Sequence, residues 1–115
     1  MDQPQADRIL TAQLHGAARR HADRWWGGQE LTEAGHAAAV AQLRELAAGR
    51  ADLLAEVAGT LTGFSEGEGE LPELRNELAA QLCRDAGADE ALIPQWIEEG
   101  RRRREQARLR RPPPV

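Results

Sequence analysis

The chain has 115 residues and a net charge of −4, from 15 Arg and no Lys against 19 acids, with three His, three Trp, one Cys, one Ser and no Tyr. That length gives one domain and excludes a large two-domain enzyme, and the 10 Val, Ile and Thr residues are too few to build a sheet core. Leu, Ile, Val and Phe total only 21, near the border for disorder, but the low net charge and the 21 Ala favour folding, and Ala, Leu, Glu, Arg and Gln favour helices.

The periodicity predicts a first helix from about Pro4 to Trp26, with Ile9, Leu10, Leu14, Ala17, Ala18, His21 and Trp25 on one arc. Gly27-Gly28 ends it. Thr32 is the expected N-cap of a second helix, with Glu33 suited to the helix dipole and Leu31 placed as a staple. That helix presents His36, Ala39, Val40, Leu43, Leu46 and Ala47 and stops at Gly49. A third, from about Arg50 to Thr62, carries the cleanest core stripe: Leu53, Leu54, Val57, Ala58 and Leu61, with Phe64 just beyond. The glycine and acid alternation of residues 63–70 reads as a mobile linker, too flexible for its acids to form an ordered cation loop. Pro72 suits the first turn of a fourth helix, with Leu71, Leu74, Leu78, Leu82 and Ala86 in a stripe ending near Gly87. A fifth follows, with Leu92, Ile93, Trp96 and Ile97 on its apolar side; Pro94 either opens it near Leu92 or kinks one already begun. The pairs Glu98 to Arg102 and Glu99 to Arg103 carry it past Gly100 to about Leu109, and Pro112 to Pro114 force an extended end.

The expected architecture is therefore all-α: a small bundle of four to five helices in antiparallel hairpins. It divides into a three-helix unit (1–62), an acidic linker (63–70), a two-helix unit (71–109) and an extended Arg/Pro tail (110–115). A two-helix unit cannot bury both faces alone, so either the halves pack together into one domain or a further chain completes the core.

Chemistry-bearing residues are sparse. Ser65 lies in the linker with nothing to orient it, Cys83 sits next to Leu82 where packing is its expected role, and no third group is in place to hold a base, so no enzyme is expected. No phosphate-loop or HExxH pattern occurs, and no cofactor is implied. His21 and His36 fall in the apolar arcs of the first two helices and would face one another across their hairpin. Structural, hydrogen-bonded histidines are the first reading, with a pH-sensing or metal pair as alternatives. Trp26 falls on the other side of the first helix, with Arg8, His15 and Arg19. It is read as a partner anchor or as a cover over the glycine turn.

Charge is partitioned: residues 1–99 carry 18 acids and 8 Arg, a balance of −10, and residues 100–115 carry 7 Arg and one Glu, a balance of +6. The Arg-rich, Lys-free composition is that of GC-rich codon usage, as in a small bacterial protein. Met1 to Gln5 form no signal peptide, no apolar window is long enough to span a membrane, and one Cys forms no internal disulfide, so a cytoplasmic location is expected. Arg101, Arg102, Arg103, Arg104 and Arg108 are the expected partner-binding set, suited to an acidic protein surface or a second copy of the chain, with nucleic acid as a further acceptor.

Residues 82–96, with small Cys83 and Ala86, turn Gly87, and apolar Ile93 and Trp96, resemble a helix-turn-helix. The run Trp96 to Arg101 is similar to the end of the recognition helix in transposase-like and excisionase-like DNA-binding modules. The resemblance implies a DNA-binding regulator built from residues 78–104. Asp89 and Glu90, expected on the exposed side of its second helix, would face phosphates and argue against it. The leading expectation is a small non-enzymatic interaction protein, an adaptor or regulatory subunit.

Overall fold

The computed structural model describes residues 2–26, 32–65 and 71–110, with backbone alone for residues 25, 26 and 71–75. They form α1 (Gln3–Trp26), α2 (Glu33–Ala47), α3 (Ala51–Ser65), α4 (Leu71–Asp85) and α5 (Ile93–Arg110), with no strand among the described residues. The all-α bundle follows from local signals. Asp2 caps α1 by accepting from the Gln5 amide at 2.8 Å, and Thr32 caps α2 by accepting from the Gly35 amide at 2.9 Å. α4 ends in a Schellman motif: Ala88 N–H donates to the Cys83 carbonyl and Gly87 N–H to the Arg84 carbonyl, with Gly87 at φ +111°. Pro94 opens α5 rather than kinking it, because the helix begins at Ile93, where a missing amide hydrogen costs nothing.

α3 is the axis of the fold. Ten of its 15 residues are buried, from Leu53 to Ser65, and α1, α2, α4 and α5 all pack on it. α1 runs alongside it in the same sense, with the Arg50 guanidinium binding both oxygens of Asp7 at 2.8 and 2.9 Å where the two helices start. That guanidinium holds the Asp7 carboxyl below the usual carboxylate range. α4 returns antiparallel: Asn76 reaches Ser65 at one end of α3, and the Asp89 amide reaches the Ala51 carbonyl at the other.

α5 runs parallel to α3 and crosses it at near backbone contact. A Cβ on Gly59 would strike Trp96 and the Ile93 carbonyl, one on Gly63 the Ile97 carbonyl, and one on Gly100 the Thr60 carbonyl. Such approach requires residues without side chains. It explains why α3 runs on through Gly63, Phe64 and Ser65, which the sequence assigned to the linker: contact with α5 outweighs the poor helix propensity of glycine. The rest of the expected linker, residues 66–70, lies outside the described residues, as does the tail beyond Arg110.

The core is rich in small side chains. Among the described residues 20 hydrophobic ones are buried, 11 of them Ala, and the largest fully enclosed side chains are Leu14, Leu43, Leu82, Ile93, Val57 and Cys83. Close helix packing through Ala and Gly thus compensates for the shortage of Leu, Ile, Val and Phe. Helices from both expected units share this core. α4 and α5 pack on α3 and, among the described residues, not on each other.

Candidate functional site

α1 and α5 flank α3, and the space between them is a groove. On α1, Arg8, Thr11, His15 and Arg19 recur at three- and four-residue intervals and so form one stripe. On α3, Glu56, Thr60 and Phe64 recur every four residues and form the floor with Leu61. α5 contributes Arg103, and Asn76 of α4 closes one end.

The groove holds two adjoining cavities that share His15 and Arg103. One, of about 340 Å³, is lined by His15, Arg19, Thr60, Leu61, Phe64, Asn76 and Arg103. The other, of about 500 Å³, adds Arg8, Thr11 and the single acid Glu56. Phe64 is 41% exposed at this surface, an unusual state for the only Phe of the chain. Burial, reinforced by the positive charges of Arg19 and Arg103, lowers the pKa of His15, so its imidazole is neutral near pH 7. A wider cleft of about 720 Å³ between α1 and α2 carries Arg20 and Glu45 together and has no such excess of one charge.

The Thr60 hydroxyl donates to the Glu56 carbonyl at 2.7 Å, and among the described residues no carboxylate is hydrogen-bonded to His15. Cys83 lies elsewhere, fully enclosed, where burial pushes its thiol up to about 12. The folded protein is therefore expected to resist a thiol-specific reagent such as DTNB at pH 8, reacting only as fast as it unfolds. Rapid stoichiometric labelling of the native state would contradict this placement.

Several expectations are corrected. His21 and His36 do not pair: His21 Nε2 meets Gln42 Oε1 at 2.6 Å on α2, and His36 Nε2 meets Asp85 Oδ2 at 2.9 Å on α4. His21 lies opposite Gln42, six residues further along α2 than His36. Among the described residues no cluster of three or more His, Cys, Asp and Glu is placed to hold a metal ion. Ser65 is not loose in a linker but 3% exposed at the end of α3, accepting from Asn76 Nδ2 at 2.9 Å.

Asp89 and Glu90 precede α5 rather than lying on it; Asp89 Oδ1 accepts from the Ala91 amide at 3.0 Å and shapes the turn. A helix-turn-helix packs its first helix against its second, the recognition helix, whereas α4 and α5 each pack on α3 and, among the described residues, not on each other.

The expected partner-binding arginines all lie on α5. Arg102, Arg103 and Arg108 have side chains 61%, 52% and 67% exposed and pair within the helix, Arg102 and Arg103 with Glu99 and Arg108 with Glu105. Arg101 pairs with Glu98, and Arg104 is half-buried. Trp26 ends α1, and its side chain lies outside the described residues. The sequence reading had grouped Arg8, His15 and Arg19 on one helix face but not joined them to Arg103, which is far away in the chain. No family model, curated protein or solved structure matches this chain. No described helix is long and apolar enough to cross a membrane.

Proposed function

We propose that this chain is a small non-enzymatic interaction protein of the cytoplasm, an adaptor or regulatory subunit, which holds an acidic protein surface on the arginines of α5. The observation that carries this reading is the exposure of Arg102 and Arg108 on the part of α5 beyond Gly100. Arg108 lies 3.9 Å from the exposed Glu105 of the same helix, three residues away, a pair of the kind that contributes little, while Arg102 binds the Glu99 carboxylate, 22% exposed, through two hydrogen bonds. An acidic partner can therefore take up Arg108 in place of Glu105, and its planar guanidinium then binds a carboxylate through two parallel hydrogen bonds.

The test is recovery of the tagged protein from its native cell with and without nuclease, followed by direct affinity measurement against the purified partner. A stoichiometric protein partner is expected, whose affinity falls at least tenfold for Arg102→Glu with Arg108→Glu and declines with salt. Unchanged affinity, or recovery that depends on nucleic acid, would overturn the reading. Sedimentation of the protein alone shows whether the acidic surface belongs to a second copy.

A further inference from the structure

The smaller cavity in the groove brings two arginines, Arg19 and Arg103, to one space. Arg19 Nε is buried without a hydrogen-bond partner, and no ion pair is formed by Arg19 among the described residues. Arg103 uses only its Nε, donating to Glu99 at 3.0 Å, which leaves its terminal nitrogens for another acceptor. Among the described residues no acid lines this cavity; Glu56 lines only its neighbour. Asn76 Nδ2 is satisfied by Ser65, but Asn76 Oδ1 is buried without a donor. Buried polar groups of this kind cost stability unless something completes them. Between them, Leu61 and Phe64 give an apolar floor.

We infer that this cavity is a binding site for a small amphipathic oxyanion, a carboxylate or phosphate monoester on a short apolar or aromatic body. The oxyanion is held between Arg19 and Arg103, the body lies on Leu61 and Phe64, and a hydroxyl on the body donates to Asn76 Oδ1. A volume of about 340 Å³ is at the lower end of ligand cavities and suits a metabolite rather than a peptide. Two guanidinia from separate helices give fork-like recognition of such a headgroup. The site does not depend on the α5 partner surface, since Arg102 and Arg108 take no part in it.

Calorimetry on the full chain with benzoate, 4-hydroxybenzoate, phenyl phosphate, benzyl alcohol and inorganic phosphate tests the assignment. Saturable binding is expected for at least one aromatic anion, with benzyl alcohol and inorganic phosphate at least tenfold weaker; the tighter of benzoate and phenyl phosphate identifies the headgroup. Arg19→Gln and Arg103→Gln should each weaken binding at least tenfold while leaving the helical circular dichroism unchanged. The His15 imidazole gives an independent readout. It is faced by Arg8 and Arg19 of α1, Arg103 of α5 and Glu56 of α3. A bound anion offsets the arginines and should move its NMR titration to higher pH. Failure of every anion to bind at millimolar concentration, equal binding of the neutral alcohol, or binding indifferent to both substitutions would overturn it.

Discussion

Gly63→Ala is expected to lower unfolding stability by about 3 kcal/mol and the melting temperature by roughly 10 °C. On a free helix the same change stabilises by up to about 1 kcal/mol, because alanine loses less backbone entropy. The sign reverses here because the new methyl would meet the Ile97 carbonyl group and the Arg101 amide nitrogen, all backbone atoms of α5, and no side-chain rotation relieves the clash. α5 has to move off α3, which opens the crossing at Gly59 and Gly100 as well. Gly16→Ala is the matched control: its methyl would meet only the flexible end of Arg20 at 3.3 Å, and it should be neutral or stabilising. Urea unfolding followed by circular dichroism measures both. A Gly63→Ala protein as stable as its parent would mean that α3 and α5 do not cross at this distance. Because Gly63 and Gly100 share one contact, their alanine variants should combine non-additively.

Leu82→Ala should cost about 2–5 kcal/mol, a large part of the stability of a domain this size. Leu82 is fully enclosed on α4, in a core whose other members are mostly alanine. Alanine side chains cannot rotate to fill the space that a lost isobutyl group leaves, so the site relaxes little and the cost falls towards the upper part of that range. Leu109→Ala, at a position 77% exposed, should change stability by no more than about 0.5 kcal/mol. Chemical denaturation of the two variants checks the contrast, and comparable losses from both would place Leu82 outside the core.

Both effects trace to the same composition. A chain poor in Leu, Ile and Val but rich in Ala and Gly gains its packing by bringing helices close together, and so depends on a few large side chains and a few absent ones. The groove follows from the same geometry: with α5 seated tightly on one side of α3 and α1 on another, the two flanking helices stay apart, and Arg19 and Arg103 face across the gap.

The elements most legible in the sequence were those set by local chemistry. Thr32 and Gly87 act through hydrogen bonds or dihedral angles within a few residues, so the start of α2 and the end of α4 could be placed before any fold was known, whereas Pro94 was compatible with either a start or a kink of α5. The stripe on α1 that carries Arg8, His15 and Arg19 was readable for the same reason, since helical periodicity is local. Readings that assumed a glycine breaks a helix, or that an acid near Pro94 lies on one, failed at Gly63 and Asp89. Gly59, Gly63 and Gly100 did carry a usable signal, since the first two lie one turn apart on α3, but it becomes one only when a partner helix is supplied. The sequence by itself therefore determined five helices, their apolar faces and the charge division between body and tail. Only the tertiary structure decided that α5 crosses α3 on glycines, that α4 and α5, among the described residues, do not pair, and that Arg19 and Arg103 share a cavity. Those outcomes depend on which distant faces fit most closely, and close fit between helices is a property of paired surfaces that no single stretch of chain contains.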